Sequence, residues 1–295
     1  EIRASAPATL RFVDSETVGN SISGLGIKNT AGNDVRVEVL DANGYLVNWD
    51  NATTITASVK TAAGVVTALT GRTETVVNGV ATFDALRLTG AAASGYVLSF
   101  TASNAGEPVN AQVLDGAAFA LMPGSATQLI VSQAAAGARS GLPFTTMPEL
   151  QIRDAEGNLI TSGPDAALTV SVSVELLPPA TGSIPGLSTT NVNLAAAAGE
   201  ATFAKLDAQS ANALMLTGPV GNYRLVYAVT NSRGNVLTTT QVVALAPGNP
   251  VGVRQVGTSA AAFQLGKTFS PAPSFELIDA EGNRVAADSV SKVKL

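Results

Sequence analysis

Three aspartates, Asp41, Asp154 and Asp279, each open the same five-residue pattern, DANGY once and DAEGN twice. A carboxylate at the head of a tight loop is a recurrent calcium ligand, so calcium is the cofactor these loops could take. The ion gathers about six to eight oxygens. Each loop offers one Asp plus at most one Glu (Glu156, Glu281) or an Asn. A hairpin turn, with Asp bonding its own following backbone and Gly accepting positive φ, explains the same residues with no ion. Carboxylates could also work in pairs on a glycosidic bond, and Asp34 with Glu38 or Glu74 with Asp84 are the pairs on offer. Neither pair recurs later in the chain, as a solvated strand face would leave them. Trp49, the sole tryptophan, could stack on a sugar, although one aromatic ring serves packing equally well. Asn51-Ala52-Thr53 is a glycosylation triplet. AAFQLGKT at 261–268 has the outline of a phosphate-binding loop, but Pro271 and Pro273 oppose the helix whose N-terminus would hold the phosphates.

The 295 residues include no histidine and no cysteine. Ser-His-Asp and Cys-His mechanisms are therefore excluded, as are thiolate metal sites and disulfides. Lys and Arg number 17 against 22 Asp and Glu, for a net charge of −5 with no basic cluster. Nucleic-acid binding needs a positive patch to displace counterions, so no nucleic-acid partner is expected. Charged residues are only 13% of the chain. A surface so poor in ions packs against neighbours at low desolvation cost, which points to assembly. The uncharged run 234–253 carries three Thr, two Pro and three Gly and reads as a strand and linker, so no membrane insertion is expected in this segment. Residues 1–10 lack a basic-then-apolar signal pattern.

The elements that must position these residues come from an internal repeat. DANGYLV at 41–47 returns as DAEGNLI at 154–160 and DAEGNRV at 279–285. GVATFDAL at 79–86 returns as GEATFAKL at 199–206, and SGYVLSFTASN at 94–104 as GNYRLVYAVTN at 221–231. ALMPG at 120–124 returns as ALAPG at 244–248. Before each DAxG block alternate positions are apolar: Val35, Val37 and Val39, then Leu150 and Ile152, then Phe275 and Leu277. Arg36, Glu38, Gln151 and Glu276 fall between them. Period two with one apolar face is a strand on a packed sheet. LAAAA at 194–198 fills the slot of TVVNG in the first copy and reads as strand or loop. The closing DSVSKVKL aligns with the strand-like ATTITASVK and AALTVSVSV, so a parent protein that continues is expected.

A strand ending in D-A-x-G-N, then G-x-A-T-F-x-x-L, then G-x-Y-x-L, resembles bacterial immunoglobulin-like repeats. These are the invasin/intimin-type modules also found in large adhesins and S-layer proteins. The resemblance covers both complete copies and the start of the third. It implies an all-β chain of tandem immunoglobulin-like Greek-key β-sandwiches: 1–122, 123–248, and an incomplete third at 249–295. It also implies that Tyr96 and Tyr223 anchor a corner of the sandwich. The segment 18–33 is longer than the family pattern leads one to expect, as an extra hairpin or contact loop would be. The linkers ALMPG and ALAPG are short, which restricts motion, and they hold no acidic residue for a calcium-bridged joint. The expected role is a non-catalytic spacer at a bacterial cell surface or in an extracellular assembly. Its partners would be neighbouring subunits or copies of itself. The alternative is recognition of a glycan or host protein through loops at the sandwich ends, with 18–33 and Trp49 the first places to look.

Overall fold

The computed structural model describes residues 4–61, 66–104, 113–177, 183–187, 193–203, 214–257, 266–267, 271–286 and 288. Among these the chain is built from β-strands, with two single 3-10 turns at Val13–Ser15 and Pro164–Ala167. It divides into two compact units. One comprises Glu1–Ala126 with Arg153–Ile160, the other Thr127–Ile152 with Thr161–Leu295.

In the first unit, Val35–Leu40 lies between Thr9–Phe12 and Val80–Phe83. A second sheet runs Ser21–Ile22, Phe119–Met122, Ala93–Ser103, Thr54–Thr61, Thr73–Thr75. Its first pair is parallel and its other ladders are antiparallel. The chain passes from sheet to sheet as it goes from Val35–Leu40 to Thr54–Thr61, on to Val80–Phe83, and then to Ala93–Ser103. That route is a Greek-key, immunoglobulin-like β-sandwich. Alternation along the strands makes the core: Val35, Val37, Val39 and Phe83 from one sheet join Ile55, Leu98 and Phe100 from the other in one buried cluster. Burying a side chain of this kind contributes about 1.5–3 kcal/mol, which is what drives the sheets together. Phe100 takes the edge of Phe12 at 5.6 Å and packs on Phe83 at 5.2 Å between ring centroids. Glu38, on the polar phase of its strand, is nevertheless buried, with the Arg11 guanidinium hydrogen-bonded to it at 2.7 Å.

The segment 18–33 is a hairpin laid on the edge of this sandwich. It carries strand Ser21–Ile22, a bridge between Val18 and Asn29, a tip where the Leu25 N–H meets the Ile22 carbonyl, and a following turn at Asn29–Asn33.

In the second unit, Glu149–Arg153, whose last residue passes into the first unit, pairs with Glu200–Thr202 and shares their sheet with Gln128–Gln133. A four-stranded sheet runs Asn193–Ala195, Thr169–Leu176, Gly221–Thr230, Val236–Leu245. Leu150, Ile152, Val170, Leu225 and Tyr227 are buried. The DAxG block of the third copy follows a two-stranded ribbon, Gly252–Val256 with Ser274–Ile278. Phe275 there is 39% exposed, unlike its counterparts Val37 and Leu150, and no second sheet covers the ribbon among the described residues.

LAAAA ends in a two-residue hairpin. Ala198 and Gly199 take φ of 50° and 79°, as Asn78 and Gly79 take 52° and 81° in the first copy. Both turns have two positive-φ residues, which fits the right-handed twist of the strands they join.

Candidate functional site

The D-A-x-G loops are the strongest sequence candidates for a site, and all three are described. Each closes on itself. The Asp N–H donates to the fifth residue's carbonyl at 2.9, 3.1 and 3.0 Å in loops 41–45, 154–158 and 279–283. One carboxylate oxygen of each Asp accepts two backbone N–H groups: Asn43 and Tyr45 on Asp41, Glu156 and Asn158 on Asp154, Glu281 and Asn283 on Asp279, all at 2.8–3.0 Å. The same turn is built at 29–33 and 231–235 around Asn29 and Asn231. The turn therefore needs an acceptor and not a charge.

The charge serves the second oxygen. Asp41 Oδ2 accepts the N–H of Ser5 at 3.0 Å and its hydroxyl at 3.3 Å. Asp154 Oδ2 accepts Gly124 N–H at 2.7 Å and Asn158 Nδ2 at 2.9 Å. Asp279 Oδ2 accepts Gly248 N–H at 2.8 Å and Asn283 Nδ2 at 2.9 Å. Each carboxylate is thus ringed by four donors, a setting that holds an anion without help from a cation. No group of three acidic side chains with metal-binding geometry occurs among the described residues. The glycine of each linker is required by a neighbouring backbone carbonyl. A Cβ on Gly124 would lie 2.9 Å from the Ser23 carbonyl oxygen, and one on Gly248 would lie 2.4 Å from that of Ser140.

The donors also set the acidity. Hydrogen bonds lower the Asp41 pKa, the Ser5 N–H first, against an opposing effect of burial. At Asp279 burial is the largest single influence and raises the pKa. Hydrogen bonds from Asn283, Gly248 and Glu281 together outweigh it, and the net direction is down.

The other candidates are not brought together. Asp34 is salt-bridged to Lys28, and Glu38 to Arg11. Four residues of extended chain separate them by roughly 13 Å, too far for a glycosidase pair. Glu74 sits on Thr73–Thr75 and Asp84 just past Val80–Phe83, in different sheets. The Trp49 indole is 40% exposed, with its N–H donated to the Ala4 carbonyl at 3.2 Å. Asn51 of the glycosylation triplet accepts the Asn78 N–H at 2.8 Å, and Thr53 is fully buried. Of AAFQLGKT, only Gly266 and Lys267 are among the described residues, and almost all of DSVSKVKL lies outside them. A depression of about 460 Å³ bordered by Lys28, Asp34 and Arg36 holds cations already paired with Asp34, Asp14 and Glu16. No helix among the described residues is long and apolar enough to cross a membrane.

Sequence reasoning missed one repeated block. Ser23-Gly24-Leu25 in the first copy matches Ser140-Gly141-Leu142 in the second. Ser23 N–H donates to Met122 and Ser140 N–H to Ala246, each at 2.9 Å. Gly24 N–H donates to Leu88 and Gly141 N–H to Leu216, also at 2.9 Å. Three residues are too short a signal to stand out unaided. The tyrosines, by contrast, sit where the family resemblance puts them. Tyr96 donates its hydroxyl to Ala91 at 2.6 Å and Tyr223 to Pro219 at 2.8 Å.

No protein-family model matches the chain, and no curated protein matches it. Among solved structures it is similar to the adhesin InvE of Yersinia pseudotuberculosis, at 12% identity and a TM-score of 0.24, over 78% of this chain and 58% of that one. It is likewise similar to a Parabacteroides merdae β-glucuronidase, at 10% identity and 0.23, over 80% and 25%. A protocadherin gammaB7 EC3-6 cis-dimer follows at 12% and 0.31, over 80% and 46%. The chain spans less than two thirds of each of these proteins. Overlaps this loose leave the fold to be read from the sheets themselves.

Proposed function

We propose that the chain is a non-catalytic spacer array of immunoglobulin-like repeats, at 1–122, 123–248 and 249–295, in a bacterial cell-surface or extracellular assembly such as an S-layer, filament or adhesin stalk. The observation that carries this reading is the state of the three repeated aspartates. The side chains best placed for chemistry are bonded to the chain's own N–H groups in the same way each time. A repeat that spends its carboxylates on its own backbone is built to hold shape. The low charge of the surface supports contact with neighbouring subunits. Electron microscopy of native material, with and without a calcium chelator, tests the proposal. A regular lattice or filament is expected. Freely tumbling monomers at high concentration, with or without calcium, would remove the self-assembling form.

One observation favours a second reading, recognition of a glycan or host protein. Tyr45, at 54% exposure, and Trp49 both present aromatic surface near the start of the first copy. A glycan array probed with the chain and with Trp49→Ala tests the glycan form. Hits lost on substitution would support a binding module, and a blank array would remove the glycan form.

A further inference from the structure

The loops at 154–158 and 279–283 do more than turn the chain. Within the second unit, Asn283 Nδ2 donates to the Gly218 carbonyl at 3.0 Å, and its Oδ1 accepts the Val220 N–H at 3.0 Å. Within the first unit, Asn158 Nδ2 donates to the Gly90 carbonyl at 2.9 Å, and its Oδ1 accepts the Ala92 N–H at 2.8 Å. The receiving tripeptides, Gly90-Ala91-Ala92 and Gly218-Pro219-Val220, come from the copy that precedes the loop in sequence.

Both tripeptides are held from behind by their own copy. The tyrosine hydroxyl takes the middle carbonyl, at Ala91 from Tyr96 and at Pro219 from Tyr223. A serine takes the glycine N–H, Ser23 at 3.3 Å and Ser140 at 3.0 Å. The glycine carbonyl and the third residue's N–H then offer one acceptor and one donor side by side. Only a carboxamide presents a donor and an acceptor on one planar group of matching shape, whereas a carboxylate lacks the donor. The amide is also aimed, since Nδ2 donates to the Asp Oδ2 of its own loop at 2.9 Å in both cases.

We propose that Asn158 and Asn283 are the residues by which each D-A-E-G-N loop docks on the tyrosine corner of the preceding copy, making the loop an intramolecular clasp. The partner this surface fits is a second repeat of this kind, presenting Gly-x-x before its corner tyrosine. Chemistry sets the rule: Asn at the fifth loop position marks a docked copy. The first copy has Tyr45 there, a side chain with no carboxamide to offer. The clasp deepens the spacer reading and rests on it for its purpose, though its geometry stands without it.

Hydrogen exchange on the isolated full chain tests the clasp. In Asn283→Ala the Val220 amide is expected to exchange about tenfold faster, as loss of its hydrogen bond to the Asn283 side chain implies, while Leu225 and Tyr227 in the core strand keep their protection. Asn158→Ala should do the same at Ala92 and spare Leu98 and Phe100. Asn283→Asp keeps an acceptor for the Val220 N–H but loses the donor to Gly218 and sets a second carboxylate against Asp279, so exchange at Val220 should fall between that of the unsubstituted chain and that of the alanine variant. Unchanged exchange at Val220 and Ala92 would overturn the proposal. So would loss of protection along the whole of Gly221–Thr230, since Asn283 would then be holding the sandwich and not the junction. A failed lattice in the microscope leaves these measurements unaffected, so the two readings fail separately.

Discussion

At Asp279 and Asp41 the folded chain holds a carboxylate below its ordinary pKa through N–H donors it does not have when unfolded. A group whose pKa is lower in the folded state stabilises the fold fully above its unfolded value, about 3.9 for Asp. That stabilisation is lost as pH falls through the folded value. Thermal unfolding followed downward from neutral pH should therefore show a melting temperature that is flat at first and drops in the acid range. A flat curve through acid would contradict the hydrogen-bond assignment. Substitution separates the two oxygens. Asp154→Asn keeps an acceptor for the turn, as Asn29 and Asn231 do, but removes the charge and puts an amide nitrogen where the second oxygen accepted the Gly124 N–H. We expect a loss of about 1–3 kcal/mol in chemical denaturation. Tyr96→Phe removes only the hydroxyl bound to Ala91 and should cost about 1 kcal/mol in the same assay.

Among the elements, the paired hairpins at 78–79 and 198–199 form a natural comparison. Both need two positive-φ residues, and the first copy supplies Asn-Gly where the second supplies Ala-Gly. Alanine's Cβ crowds its carbonyl in that region, which Asn tolerates better through local hydrogen bonding. Ala198→Asn should stabilise the second unit by roughly 1 kcal/mol, read as a raised urea midpoint with an unchanged slope. A lowered midpoint would mean that the turn relaxes away from this geometry in solution. The hairpin at 18–33 shows a different economy: the five-residue turn reappears there on Asn29, whose amide nitrogen donates to Glu16, where Asp154 and Asp279 accept a linker N–H.

For the molecule as a whole, four donors around each repeated carboxylate leave calcium little to bind. Adding calcium or a chelator should leave the melting temperature unchanged. A rise with calcium would require ligands beyond those seen at the three loops, because a ligand bound to the folded state alone must raise stability. Formation of a lattice or filament should likewise be indifferent to the chelator, so that assembly would rest on neutral sheet faces and edges.

The sequence by itself determined the strands, the turns and the repeat. Those properties are local: alternation of Val35, Val37 and Val39 settles one buried face, and D-A-x-G settles a turn, whatever lies elsewhere in the chain. It also determined what chemistry is missing, since no fold can supply an absent histidine or cysteine. The destination of the second oxygen of each aspartate was decided only in three dimensions. Asp154 meets Gly124 across 30 positions and Asp279 meets Gly248 across 31. The linkers hold no acidic residue of their own, yet each receives one from the following loop. The pairing of Asn158 with Gly90 and Ala92, across 68 and 66 positions, was equally hidden. A carboxamide in a turn reads as turn chemistry until the partner's free carbonyl and N–H are brought beside it, and backbone groups carry no mark in the sequence to announce that they are free.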